Sequence, residues 1–144
     1  MSEDEVRRAS EQFYAALIQL INGNAEPMAA VWSHRDDVTT LHPLGGRQTG
    51  WHEVWQVWQA VAQAGITDAN VTVDDLLIHV TGDLAYTVGV ERGQLTMGGE
   101  QVAYDERATN IYRREGGAWK LVHHHSDLVP GMQAAMERMM AGQR

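Results

Sequence analysis

The period of the hydrophobic pattern changes near Asn70, and this change constrains the fold more than any other feature of the sequence. Before it, apolar residues recur at the spacing of amphipathic helices. After it, four runs of strand-like alternation are separated by short glycine-containing breaks, which are typical of hairpin turns. The pattern therefore predicts helices followed by a four-stranded antiparallel meander, an α+β fold. The runs are 71–80, 84–97, 101–114 and 119–129, and the breaks are 81–83, 98–99 and 115–117.

The first half of the chain divides into shorter elements at recognisable breaks. A first helix begins at the capping box formed by Ser2 and Glu5 and ends at Asn22-Gly23-Asn24. Pro27 suits the first turn of a short second helix, and a strand is predicted at 37–42. These elements come before the meander, so the helices can cover only one face of the sheet.

A third helix is predicted from about residue 50 to Gly65, with three tryptophans on its apolar face. Two interpretations of these tryptophans stay open, a filled core and the wall of a ligand cavity. The methionines of a C-terminal helix either pack on the protein's own sheet or form a subunit contact, since methionine surfaces adapt to partners. The tryptophans are Trp51, Trp55 and Trp58, and the methionines are Met132, Met136, Met139 and Met140.

Length and charge exclude several classes of protein. The 144 residues suit one domain, and the net charge of −8 argues against nucleic acid and against anionic membrane surfaces as partners. The absence of cysteine excludes disulfides and thiolate chemistry. Acidic residues follow Met1 and no apolar run reaches membrane-spanning length, so a cytoplasmic location is expected.

The last predicted strand carries imidazoles in an apolar setting, and this indicates a pocket. Simple alternation would place Trp119, Leu121, His123, His125 and Asp127 on one face. Imidazoles among apolar groups need partners, and a pocket can supply them.

The register of the last hairpin decides which residues join this face. A three-residue turn would set Thr109 opposite His123 and Arg107 opposite His125, and a two-residue turn would set Asn110 opposite His123. We prefer the first register because it aligns apolar with apolar residues and places Arg107 between two carboxylates. The cluster expected in the pocket is then Arg107, Asp105, Asp127, His123 and His125.

Several segments resemble the nuclear transport factor 2-like superfamily, in particular its SnoaL-like branch and the association domain of calcium/calmodulin-dependent kinase II. The segment 112–126 (YRREGGAWKLVHHHS) is similar to their closing hairpin. The segment 32–39 (WSHRDDVT), leading to Pro43-Leu44-Gly45-Gly46, resembles their first-strand region, and 79–83 (HVTGD) resembles the turn before their third strand. The similarity covers the whole chain, 1–144, as a single SnoaL-like domain.

The resemblance implies a cone, in which a curved antiparallel sheet wraps around the N-terminal helices in a cystatin-like roll with a pocket at one end. Homodimers through the outer sheet face are common in these proteins, and a homodimer of this kind is expected here. They include isomerases, cyclases, dehydratases, hydrolases and binding domains, so the fold does not fix the function. Arg92 matches one pocket arginine of the kinase association domain, but Thr109 stands where another is expected.

The expected function is the binding of a small organic molecule in an enclosed pocket, without turnover and without a cofactor. One alternative is a cofactor-free isomerase, cyclase or dehydratase that uses Asp127, His125 or Asp105 as acid or base. Another is an oligomerisation module. A metal site at the histidines is not favoured because Arg107 would repel a cation. The expected pocket residues are Trp32, His42, Trp55, Trp58, Tyr86, Arg107, Thr109, His123 and His125.

Overall fold

A computed structural model describes residues 2–142 of the chain and confirms the α+β order of elements. The helices at the start, the four long strands and the C-terminal helix all form where the pattern predicts them. The elements are α1 (Ser2–Ile21), α2 (Glu26–Val31), β1 (Thr39–His42), β2 (Gly45–Thr49), α3 (Trp51–Ala62), β3 (Thr67–Thr81), β4 (Leu84–Met97), β5 (Glu100–Glu115), β6 (Ala118–Ser126) and α4 (Pro130–Ala141).

The strands form one six-stranded sheet in the order β2-β1-β6-β5-β4-β3. Strands β3 to β6 are the predicted antiparallel meander, and β1 adds to its edge by pairing in parallel with β6. Strand β2 was not predicted, because Gly45-Gly46-Arg47-Gln48-Thr49 shows no apolar alternation.

Bulges bend this unclosed sheet toward the helices. Asp68 and Asp75 both have φ of 55° and lie where the pairing of β3 with β4 shifts. Aspartate adopts this left-handed conformation more readily than most residues, and an extra residue in one strand increases the local bend and twist. The concave face that results covers α1, whose Val6, Phe13 and Leu20 are fully buried.

A third bulge, in β6, overturns the predicted register of the last hairpin. The turn has two residues, so Glu115 pairs with Ala118, but Tyr112 then pairs with Leu121 while Ile111 pairs with His123. The unpaired Val122 between them reverses the alternation of every residue that follows. Neither register considered from the sequence is therefore correct beyond Leu121.

The reversal decides which histidine faces the helices. Trp119 and Leu121 point inward as predicted, and after the bulge His124 and Ser126 do so, at 2% and 3% exposure. His123 and His125 point to the outer face, so the prediction that they share a face with Trp119 is wrong. Arg114 makes a cation–π contact with the inward-facing Trp119, and its guanidinium carbon lies 4.9 Å from the ring centroid.

Candidate functional site

Most of the residues expected on the sheet side of the pocket lie on the outer face. The Arg107 side chain is 83% exposed, and its Nε atom donates to Asp127 at 2.8 Å. Asp105 pairs with Arg92 at 3.1 Å, and Tyr86 is 44% exposed. The expected orientation of these side chains toward the helices is therefore wrong.

Thr109, His123 and His125, which were also expected in the pocket, lie on the outer face of the sheet as well. Thr109 pairs with His125 rather than with His123. His123 Nδ1 lies 2.6 Å from the Thr39 hydroxyl, and its ring centroid lies 6.2 Å from that of His125. Four members of the predicted cluster do meet, along an open groove at the outer rim of the sheet: Asp105, Arg107, His125 and Asp127.

The predicted helix-side residues divide between the core and an inner cavity. Trp32 is 2% exposed and belongs to the core, while Trp55 is half-buried and stacks on Trp51 with ring centroids 5.3 Å apart. Trp58 and His42 line the inner cavity. The edge of one ring meets the face of the other at 4.6 Å.

This inner cavity has a volume of about 100 Å³ and lies between α1, α3, α4 and the concave face of the sheet. Its walls are apolar, with contributions from Leu17, Leu95, Met97 and Met132. The titratable groups in this wall are His42, Glu91, Tyr104, Glu106 and His124.

Two glutamates face each other at the sheet wall of the cavity. Glu91 of β4 and Glu106 of β5 are directly opposite in the antiparallel register, at 1% and 5% exposure. Burial, together with the hydrogen bond and negative charge of Glu91, raises the pKa of Glu106 to about 10. Burial also raises the pKa of Glu91, although the hydrogen bonds of Glu106 and Tyr14 oppose this. Two adjacent carboxyls in an apolar site cannot both ionise easily, so this Glu91–Glu106 pair holds a proton at neutral pH.

A hydrogen-bonded chain fixes the geometry of the pair. The Tyr14 hydroxyl donates to Glu91 Oε2 at 2.6 Å, and Asn110 Nδ2 donates to that hydroxyl at 3.3 Å. The Asn110 Oδ1 atom then accepts from His124 Nδ1 at 2.6 Å. These directions leave Nε2 of His124 as the acceptor nitrogen of a neutral ring, because burial lowers its pKa well below the usual value.

Three buried polar atoms on the cavity wall make no hydrogen bond to any part of the chain that the structure describes. They are His42 Nε2, Trp58 Nε1 and Glu106 Oε2. Burial lowers the pKa of His42 to about 4, so this ring is neutral as well. Buried polar atoms are paired in the great majority of cases, and three of the nine unpaired ones within residues 2–142 belong to residues that line this cavity, which makes it a candidate site.

The sequence interpretation missed the central residues of this site. Simple alternation puts Tyr104, Glu106 and Asn110 on one face of β5, but the preferred register selected the opposite face, which carries Asp105 and Arg107, as the pocket wall. The useful signal was the pair of tyrosines on the first face, Tyr104 and Tyr112, since large aromatic residues favour burial. The partner Glu91 gave no such signal, because its burial follows from long-range pairing.

Two other features of residues 2–142 bear on the class of site. No three histidine, aspartate or glutamate side chains in this range are grouped so that they could hold a metal ion. None of the helices in the same range has the length and apolar character needed to cross a membrane.

The sequence model of the SnoaL-like domain matches residues 6–130. The chain belongs to this family. A candidate dehydratase of the NTF2-like family from Streptomyces avermitilis has the same fold, with 26% identity over 89% of this chain and 96% of that chain and a TM-score of 0.78. A candidate calcium/calmodulin-dependent protein kinase type II association domain from Thiobacillus denitrificans is 28% identical over 85% of this chain and 94% of that chain, with a TM-score of 0.65.

A plant relative of this SnoaL-like domain is longer than the chain. The F-box protein SKIP8 of Arabidopsis thaliana is 25% identical over 132 residues, which cover 83% of this chain. The chain spans about half the length of that relative, 53%.

Proposed function

We propose that the inner cavity binds a small neutral organic molecule and that the Glu91–Glu106 pair moves protons on it, in a cofactor-independent isomerisation or dehydration. The observation that carries this proposal is the position of two buried, directly opposed glutamates on the wall of an apolar cavity. Strongly perturbed carboxyls in a cavity are typical of acid–base sites.

The pair can supply an acid and a base at the same time. Tyr14 donates to Glu91, which favours the carboxylate form there, and the proton stays on Glu106. With a ketone, the Glu91 carboxylate takes a proton from the carbon next to the carbonyl. Glu106 donates its proton to the carbonyl oxygen, which gives the enol. With a β-hydroxy ketone, Glu91 takes the α-proton, the α,β double bond forms as the β carbon–oxygen bond breaks, and the departing hydroxyl takes the Glu106 proton and leaves as water.

The unpaired atoms of the cavity indicate the chemistry of the ligand. Trp58 Nε1 is a donor, and Glu106 Oε2 and His42 Nε2 complete a polar patch on an otherwise apolar wall. The pair carries one negative charge and the rings of His42 and His124 are neutral, so an anion is disfavoured. A neutral carbonyl or hydroxyl compound fits these groups. The candidate dehydratase from Streptomyces avermitilis, at 26% identity, supports the same reaction class.

The test is hydrogen exchange into a generic ketone. 2-Butanone is incubated with the protein in D₂O at pH 7, and deuterium at its α-carbons is followed by proton NMR. We expect exchange above the buffer rate, and Glu106→Gln should lower the protein-dependent rate by about 100-fold or more. The matched control is Arg107→Ala on the outer face, which should exchange at the normal rate.

Binding without turnover is the second candidate. It is favoured by the hydrogen bonds that link the side chains of Glu91, Tyr14, Asn110 and His124, because these groups already have partners within the protein. The same experiment separates the two, because 2-butanone that binds without faster exchange would leave a binding domain and overturn the catalytic proposal. Cofactor independence and the cytoplasmic location stay predictions.

We also propose that two copies pair through the outer sheet face. Four apolar side chains of β3 and β4 are exposed together there, at 60%, 51%, 44% and 37%: Leu77, Leu84, Tyr86 and Val88. Solved structures with this fold include association domains, which supports self-association.

Light scattering, which measures the mass in solution, tests whether the protein forms this dimer. The wild type should have the mass of a dimer, and Leu77→Glu should have the mass of a monomer. Leu128→Glu, at a leucine with the same 60% exposure outside this patch, should remain dimeric. A monomeric wild type would overturn the pairing and the oligomerisation alternative.

A further inference from the structure

We propose that the ligand is amphipathic, with a small neutral polar head at the Glu91–Glu106 pair and an unbranched apolar tail in a groove between α3 and α4. The inference rests on the proposed function for the position of the head. The tail site is a separate feature of the molecule.

The groove lies outside the inner cavity and has a volume of about 330 Å³. Its α3 side includes Ala60 and Ala64, and its α4 side includes Met136 and Met139. Methionine side chains are unbranched and polarizable, so they adapt to the shape of a flexible chain. Such a surface suits an alkyl tail.

The groove is adjacent to the cavity. Leu44, Val57 and Val61 line both spaces, so these three side chains form a wall that the groove and the cavity share. The cavity alone, at about 100 Å³, is smaller than the engineered cavity of about 150 Å³ that admits benzene. A ligand with more than a few carbon atoms must therefore extend past these residues, and the groove is the apolar space on their other side.

The α4 side of the groove is held by few polar contacts within residues 2–142. Arg138 pairs with Glu100 at 2.7 Å, and Gln133 Nε2 donates to the carbonyl of Leu44 at 3.3 Å. Both contacts lie at the surface or are only partly buried, where such interactions are weak. A tail can thus enter by a small displacement of α4 that leaves the sheet unchanged.

The probe is a series of linear methyl ketones from 2-butanone to 2-decanone, with dissociation constants from ligand-observed NMR. In the wild type, affinity should increase by about fourfold for each added methylene once the chain exceeds the cavity. Ala60→Trp fills the groove from an exposed helix position that does not line the cavity. This variant should bind 2-butanone normally and lose the increase for longer ketones.

Two controls separate the tail site from the head site. Gln59→Trp places the same bulk at the neighbouring exposed position of α3, outside the groove, and should keep the full increase. Glu106→Gln should weaken 2-butanone and the longer ketones by the same factor. An affinity that does not grow with chain length, or that grows equally in Ala60→Trp, would overturn the tail site alone. Failure of every ketone to bind the wild type would overturn the proposed function and the tail site together.

Discussion

Replacement of Glu106 by glutamine should make the protein more stable, and the gain should grow with pH. The folded protein keeps a proton on Glu106 up to about pH 10, whereas a glutamate ordinarily releases it near 4.5. Between these values the folded state binds more protons than the unfolded state, so the free energy of unfolding falls as pH rises. This penalty is absent below about pH 4.5 and grows through the window from 4.5 to 10.

The size of this stability change follows from the binding of one extra proton by the folded state. The limiting slope is about 1.4 kcal/mol per pH unit, so wild-type stability should fall relative to Glu106→Gln by about 4 kcal/mol between pH 5 and pH 8. Glutamine has the shape of the protonated glutamate and does not titrate. His42 and His124 are buried in both proteins, so their contribution to the pH dependence of stability cancels in the comparison.

Urea unfolding of both proteins at pH 5, 6.5 and 8 measures the difference. Glu11→Gln, at an exposed position of α1, is the control for the loss of one formal charge. Stability curves of wild type and Glu106→Gln that run parallel across this range would refute the claim that Glu106 is held protonated.

Three further predictions concern single side chains. Tyr14→Phe removes the 2.6 Å hydrogen bond to buried Glu91 and should lower the free energy of unfolding at pH 7 by about 1–3 kcal/mol, measured by urea unfolding. Gly93→Ala would make a Cβ atom clash with the Tyr104 ring, which lines the cavity, so ketone binding measured by NMR should weaken. An unchanged affinity would contradict this packing. Arg107→Ala breaks an exposed ion pair and should change the free energy of unfolding by less than about 1 kcal/mol.

The fold was largely predictable because its signals are local. The capping-box pattern at Ser2, the helix stop at Asn22-Gly23-Asn24 and the glycine turns of the meander each lie within a few residues of the boundary that they predict. The resemblance to known proteins then supplied the curvature. Strand β2 escaped prediction because its pairing with β1, rather than its own sequence, makes it a strand.

The site was less predictable because it depends on one bulge and on long-range pairing. Val122 is an ordinary strand residue, and nothing around it in the sequence marks it as unpaired. Because of this bulge, His124 faces the concave side of the sheet in place of His123 and His125. Glu91 and Glu106 lie 15 positions apart and meet only because β4 and β5 pair in one particular register. Of the residues expected in the pocket, Trp58 lines the inner cavity from α3, and His42 lines it from the end of β1, with ring centroids 4.6 Å apart.

The most direct measurement is a ¹³C NMR titration of the glutamate side-chain carboxyl carbons. One of these resonances should keep the chemical shift of a protonated carboxyl from pH 5 to pH 8, be absent in Glu106→Gln and move when 2-butanone is added. A set of glutamate resonances that have all reached the ionised shift by pH 7 would contradict a shared proton at the Glu91–Glu106 pair, and with it the acid–base site.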